Sequence, residues 1–465
     1  MALKDILIRF KSFIIVGLLL FVSFIIGFIV YKKVIKKEKI EIKKLIFYGL
    51  TICYITVVIG AVFSRENSSG SYQLHLFNSY IEAYNMMKIS LFRNIILNIL
   101  LFVPLGFIIP IYFKKLCKTY KVVLLGFFLS LIIELSQLMI GIGLFELDDI
   151  LNNTIGVLIG YSYYKIYMNF KNKETKTLLF IYIMPTIFVI LVFLSIYVIY
   201  QTQELGNFEF SPNYKINMKN ADVKSEIEFS KSSGKKDIYY KKTLTEKETR
   251  KIANDMFEKL DSTIDLKISN IMEESSIYRS QNGYSMWINY IDGSYQLTYD
   301  GEDIEEEILE QTEDSITSTK VYDNKNIEDI IDYLKTININ LPDGYTYDKE
   351  KREIKYDVYI DNNKKIYNGY VGVGFSNNKI IELDYSMGIY DKVKEKEIIS
   401  EYDAYKKILN GDFKYYDDKI KNILIKDIKL TYYQDSKGYY IPIYEFDTLV
   451  NDDVKYIIRI NAIKY

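Results

Sequence analysis

The chain has 465 residues, with 59 Lys+Arg, 60 Asp+Glu, one histidine and two cysteines, and 49% of its residues are apolar. The near-neutral total hides an asymmetry: residues 1–200 hold 21 basic and 10 acidic side chains (net +11), and residues 201–465 hold 38 and 50 (net −12). An acidic second part argues against nucleic acid and against an anionic membrane surface as partners. The lone His75 excludes two-histidine mechanisms and His-rich metal sites, and with Cys53 and Cys117 both in the first part the second needs no disulfide.

Six apolar segments follow one another: Ser12–Tyr31, Leu45–Phe63, Ile95–Phe113, Val122–Ile142, Ile150–Met168 and Thr177–Tyr200. Each is roughly 19–24 residues, the length a helix needs to cross a bilayer. The first is not a signal peptide, because Lys32 and Lys33 follow it where a small-residue cleavage site would stand. Residues 32–44 hold seven lysines, 114–121 four and 169–176 three. These alternate loops belong on the cytoplasmic side by the positive-inside rule. The acidic loop Gly143–Asp149, the N-terminus and the whole tail then lie outside, against the opposing but smaller charge of Lys4, Arg9 and Lys11. The expected localisation is a multi-pass cell-membrane protein with an extracellular C-terminal domain.

Polar residues interrupt the apolar segments where an anchor would have none. A carboxyl at a helix centre in hydrocarbon costs roughly 2.5–3.5 kcal/mol, so Glu134 must face protein or a wet cavity. Helical spacing sets Asn94 with Asn98, Glu134 with Gln137, and Asp148 and Asp149 with Asn152, each pair on one face. On the lysine-based topology these residues, with Arg65 and Arg93, fall toward the outer ends of their helices and predict a polar pocket open to the outer leaflet. Arg65 or Arg93 is the expected charge partner of Glu134 or of an aspartate. Pro104 and Pro110 interrupt the third segment, and Gly106, Gly156 and Gly160 permit close helix packing. Alternatives stay open: Asn98 and Gln137 as bonds between helices, one of Asp148 and Asp149 as a helix-dipole charge, and the glycines as packing alone. No catalytic nucleophile, metal site or cofactor is identifiable.

The ordered motifs RNIILNILLFVPLGFIIP, IELSQ and DDILNNTIGVLIGY, preceded by SREN and LHLFNSYIEAYN, resemble the VanZ-like membrane proteins over residues 45–168. Many members carry an arginine between the Glu-x-x-Gln segment and the Asp-Asp pair; here that stretch is LMIGIGLFEL, without a base. The resemblance implies a role in sensitivity to teicoplanin, a process rather than a reaction.

Residues 201–242 look like a linker with some strand. Beyond them, three helices are expected, LTEKETRKIANDMFEKLD with a Thr245–Glu248 capping pattern, NIEDIIDYLKTI, and EIISEYDAYKKILNG closed by Gly411. Strands of alternating Tyr or Ile and charge follow each of them. The acidic run 301–314 reads as a solvated helix or loop, with a weak cation site as the sharper alternative. The helix-then-strands order, with KKIYNGYVGVGF and GYYIPIYEF, is similar to PepSY-type and YycI/YycH-type extracellular domains, which implies binding or regulation.

The expected architecture is a polytopic α-helical membrane domain of about six transmembrane helices, then an extracellular α+β domain of helix-plus-antiparallel-strand units. Its expected divisions are 1–44 (first helix and basic loop), 45–168 (VanZ-like), 169–200 (sixth helix), 201–242 (linker) and 243–465 (α+β). The first functional expectation is an envelope protein that engages a lipid or amphiphilic molecule of the outer leaflet and lowers glycopeptide sensitivity. The second is a sensor whose tail binds an envelope protein partner. The third, less favoured, is an intramembrane enzyme acting on a lipid-linked or glycan substrate through Glu134 and an aspartate.

Overall fold

A computed structural model describes residues 11–35, 42–63, 71–173, 176–301, 306–311, 316–320, 322–360, 365–416 and 419–464. The chain divides into two compact units, Met1–Glu204 and Leu205–Tyr465.

The first unit is helical. Helix α1 (Lys11–Val30) continues as a π-helical turn over Tyr31–Ile35, and α2 (Ile42–Phe63) follows. Next come a short strand β1 (Tyr72–Gln73), α3 (Asn78–Met86), α4 (Ile89–Tyr112) and α5 (Thr119–Ile140). Strand β2 (Phe145–Glu146), α6 (Leu147–Asn172) and α7 (Lys176–Thr202) complete it. Among the described residues, four helices are long and apolar enough to cross a membrane, at Ile15–Lys33, Ile89–Tyr112, Thr119–Ile140 and Thr177–Thr202. Leu45–Ala61 is a shorter apolar helix. Helix α6 has the length but not the apolarity, because its first two turns carry Asp148, Asp149, Asn152 and Asn153. It takes the inside position, packed against α4, α5 and α7.

Glycine decides how closely α6 approaches α4. A Cβ on Gly156 would stand 2.1 Å from the Ile99 carbonyl oxygen, one on Gly160 1.8 Å from that of Val103, and one on Gly106 2.0 Å from that of Val157. The two backbones are therefore in direct contact through glycines of both helices, the packing mode that compensates for the missing hydrophobic drive between helices in lipid. Pro104 and Pro110 lie inside α4, and the Tyr54 hydroxyl donates to the Leu101 carbonyl, 2.8 Å away, in the turn that Pro104 disturbs.

The second unit is an α+β fold. Its helices are α8 (Glu246–Lys259), α9 (Ile327–Thr336) and α10 (Glu401–Leu409). Each begins at a side-chain cap: Thr245 and Glu248 form a reciprocal capping box, Asn326 accepts from the Asp329 amide, and Ser400 accepts from that of Asp403. Just beyond α10, Gly411 takes a φ of +71°, and a Cβ there would meet the Ile216 carbonyl oxygen at 2.0 Å.

The strands are β3 (Asp222–Ser225), β4 (Gly234–Tyr240), β5 (Asn270–Ile271), β6 (Ser275–Arg279), β7 (Tyr284–Asn289), β8 (Tyr295–Tyr299), β9 (Glu306–Gln311), β10 (Ile316–Lys320), β11 (Thr346–Asp348), β12 (Glu353–Ile360), β13 (Lys365–Ser376), β14 (Lys379–Ile398), β15 (Asn422–Gln434), β16 (Tyr439–Val450) and β17 (Val454–Asn461). Thirteen of them, among the described residues, form one sheet ordered β3-β15-β16-β4-β14-β8-β7-β6-β5, with β13, β12 and β11 branching from β14 and β17 from β16. Pairing is antiparallel except between β3 and β15.

Two apolar cores line this sheet. One joins α8 and α9 to β6–β8 and β12–β14 through Phe257, Met286, Leu297, Leu334 and Ile354; the other joins α10 to β15–β17 through Ile408, Ile425, Phe446 and Ile458. Between them Tyr239, Tyr390 and Tyr440 are buried together, and the Tyr390 and Tyr440 rings stack at 4.3 Å.

Three expectations are corrected here. The segment expected to be a linker belongs to this fold: Leu205, Phe208, Ile216 and Ile238 are core residues, and β4 joins β14 to β16. The third helix starts at Glu401, because β14 continues past Met387 to Ile398, its alternating charges matched to β4 through Lys392 and Asp237 at 2.7 Å. The middle of the acidic run is strand β9, paired antiparallel with β10 rather than a helix or loop; residues 302–305 and 312–315 lie outside the described residues.

Candidate functional site

The N-terminal two turns of α6 gather polar side chains from three neighbouring helices. Glu134, Gln137, Asp148, Asp149, Asn152 and Asn153 are all buried, Glu134 and Gln137 to 1% exposure. On α5 the buried residues recur along one stripe, Val122, Gly126, Ser130, Glu134 and Gln137, so its small and polar side chains point toward α6.

Asp148 caps a neighbouring helix. Its carboxylate accepts from the Phe77 amide at 2.6 Å, the Ser79 amide at 2.7 Å and the Ser79 hydroxyl at 2.9 Å. These are the orphan donors at the start of α3, and charge-assisted bonds to them are the strong kind. They hold Phe77, the residue before α3, at a φ of +66°, a left-handed conformation that costs a non-glycine residue about 1–2 kcal/mol.

Asp149 accepts from Asn98 Nδ2, which ties α6 to α4. The Tyr80 hydroxyl donates to Asn152 Oδ1, which ties α6 to α3. Asn153 Nδ2 donates to Ser130 Oγ at 2.9 Å, which ties it to α5. Glu134 accepts from the Glu146 amide at 3.3 Å, just before α6 begins. Here β1 and β2 pair in parallel, Tyr72 against Phe145, and bring the segment before α3 beside that loop. Among the described residues, Asn152 Nδ2 and Asn153 Oδ1 are buried without a hydrogen-bond partner.

The sequence-predicted residues thus separate. Asn98, Glu134, Asp148, Asp149 and Asn152 meet at the start of α6 or in the loop before it. Gln137 is buried on the same α5 stripe, and its backbone carbonyl accepts from the Ile142 amide at 3.0 Å. Asn94 is exposed, one turn before Asn98, and Arg93 is half-buried beside it. Arg65 lies outside the described residues. Gly106, Gly156 and Gly160 stand at the α4–α6 contact.

Ser79, Tyr80, Ser130 and Asn153 are members that sequence reasoning missed. Ser130 and Asn153 carried a usable signal: Ser130 is one turn before Glu134 on the same face, and Asn153 adjoins Asn152. Ser79 and Tyr80 carried none, since only tertiary structure brings α3 to α6.

Chemically, the cluster holds three carboxylates against backbone amides, an amide side chain and a serine. It offers one open amide donor and one open carbonyl acceptor. Among the described residues, no group of three or more His, Cys, Asp or Glu is placed to hold a metal ion.

Comparison with known proteins places this region. The VanZ/LLP1 family model matches residues 45–168, the span from α2 through most of α6. Protein VanZ of Enterococcus faecium is 27% identical over 136 residues, which cover 28% of this chain and 81% of that protein. Across residues 45–168 the chain therefore matches the VanZ/LLP1 family model and is distantly similar to Protein VanZ.

Proposed function

We propose that this is a multi-pass cell-envelope protein that lowers sensitivity to teicoplanin-type glycopeptides, through the polar cluster at the head of α6 acting on a lipid or amphiphilic molecule of the outer leaflet. The single observation behind this reading is the burial of Glu134, Asp148, Asp149 and Asn152 at one end of the helices, with Asn98 donating to Asp149, inside the family-matched region. The open Asn152 Nδ2 is where a ligand oxygen would be held. The lysine-rich loops put this end outside, with the second unit as an extracellular, PepSY/YycI-like domain.

The test compares drug susceptibility and cell-bound labelled teicoplanin in cells carrying the wild-type chain, Glu134→Gln, Asn152→Ala or no copy. Protection by the wild type that both variants lose supports the reading. Equal susceptibility in all four strains overturns it. Orientation is tested with Lys247→Cys, an exposed position at the start of α8. Reaction with a membrane-impermeant thiol reagent in intact cells is expected, and labelling only after lysis defeats the outside placement.

A second reading, a partner-binding sensor, draws on the free end of the sheet. Leu266, Ile268, Ile271, Met272 and the lone Trp287 are exposed on or beside β5–β7. Clustered exposed apolar side chains of this kind mark interaction surfaces. Protection that survives Glu134→Gln and is lost with Trp287→Ala favours this alternative.

A further inference from the structure

Helix α3 has nine residues, too few to cross a bilayer, yet its segment is apolar on the outside. Tyr72, Leu74, Leu76 and Phe77 are each half or more exposed, and Ile81, one turn after Phe77, is exposed too. The opposite face is turned inward: Ala83 is fully buried, and Ser79 and Tyr80 reach Asp148 and Asn152.

Three attachments fix where this segment lies. It is joined to α4 by Met87 and Lys88 alone. Phe77 and Ser79 are held at the start of α6 by Asp148. The Tyr84 hydroxyl accepts from Gln203 Nε2, just past the end of α7, at 2.5 Å. Helices α4 and α7 are both long and apolar enough to cross a membrane. A segment tied to the ends of such helices stands at the edge of the hydrocarbon, where amphipathic helices rest with their apolar face among the acyl chains and where tyrosines concentrate.

We propose that Tyr72–Met86 is an interfacial segment, immersed through Phe77, Ile81 and their neighbours in the headgroup–acyl boundary of one lipid leaflet, and that it roofs the polar cluster with its other face. Its partner is the bilayer surface, and the cluster is reached from that leaflet past the Phe77 end of α3. This rests on reading the unit as membrane-spanning.

The test uses the full chain in lipid bilayers, in a Cys53→Ser, Cys117→Ser background, with Phe77→Cys or Ile81→Cys carrying an environment-sensitive fluorophore. Ile132→Cys on α5 and Lys247→Cys serve as lipid-facing and water-facing controls. Quenchers attached at the headgroup, quenchers attached at mid-chain, and aqueous iodide are compared. The expected result at both α3 positions is at least twofold stronger quenching by the headgroup probe than by the mid-chain probe, with little by iodide. Iodide quenching equal to that at Lys247 overturns the proposal, as does protection from all three, which would mean that protein covers the face. If the Ile132 control also escapes both lipid probes, the membrane-spanning reading itself fails, an outcome separate from failure at α3 alone.

Discussion

The two units bury opposite things. Helix α5 hides Ser130, Glu134 and Gln137 and exposes Leu124, Phe128, Ile132 and Met139. Helix α8 hides Ala253, Met256 and Phe257 and exposes Glu246, Lys247, Lys251, Glu258 and Lys259. The governing rule is the same, that each group goes where its transfer costs least, and only the surroundings differ. In water, removing apolar area drives folding; in lipid that drive is absent, and small-residue packing with satisfied polar groups replaces it.

The strongest way to break this contrast is truncation on the two kinds of face. Phe257→Ala empties a fully buried site in the α8–α9 core and should cost the second unit about 4 kcal/mol in thermal or denaturant unfolding. Ile132→Ala on α5 should change the stability of the first unit by less than about 0.5 kcal/mol. A large loss at Ile132 would mean that this face is packed against protein.

Glycine gives the next test. Gly160→Ala sets a methyl against the Val103 carbonyl and should destabilise the helical unit by about 3 kcal/mol, read as a lower unfolding temperature in detergent. Gly234→Ala, with nothing within 4 Å, should leave the second unit unchanged.

The cluster comes third. Asp148→Ala removes three hydrogen bonds at the start of α3 and should cost about 2 kcal/mol, with faster amide exchange confined to Phe77–Met86. Unchanged exchange there would show that α3 is held by other contacts.

Ionisation sharpens the comparison from the second unit. Burial, then the neighbouring Tyr367, pushes the Tyr385 hydroxyl up to about 12. The folded state therefore favours its neutral form. Stability is unaffected below the ordinary tyrosine value of 10.0 and is lost as pH rises from there toward 12. Tyr385→Phe should reduce this alkaline loss, followed as unfolding against tyrosinate absorbance.

The smallest effect is expected at the capping box. Hydrogen bonds from the Thr245 hydroxyl and amide, and from Lys242, lower the Glu248 carboxyl from 4.5 to about 2. Its contribution is complete above pH 4.5 and disappears as pH falls toward 2. Thr245→Ala should cost about 1 kcal/mol at neutral pH and flatten that acid dependence.

How much of this was legible in the sequence depended on the range of the cause. Local signals carried through: the capping box of α8, the glycine after α10, and the strand alternation all arise within a few residues. The charge asymmetry and the apolar runs separated the two units, and the burial cost of Glu134 marked it as an inward-facing residue.

What stayed hidden was long-range. Nothing in SYQLHLFNSYIEAYN says that Ser79 and Tyr80 meet residues some seventy positions later, because a buried carboxylate can be satisfied by any donor that the fold delivers. Glu134 accepts from the backbone amide of Glu146, a partner that no side-chain pattern announces. Strand β4 looked like linker because its solvent-facing lysines mask a two-residue apolar core, Ile238 and Tyr239, and only pairing with β14 and β16 gives those residues a place to bury. The sequence by itself determined which residues could not face their solvent. The tertiary structure decided which partners would satisfy them, since hydrogen bonds and packing are made between elements that the chain brings together only when it folds.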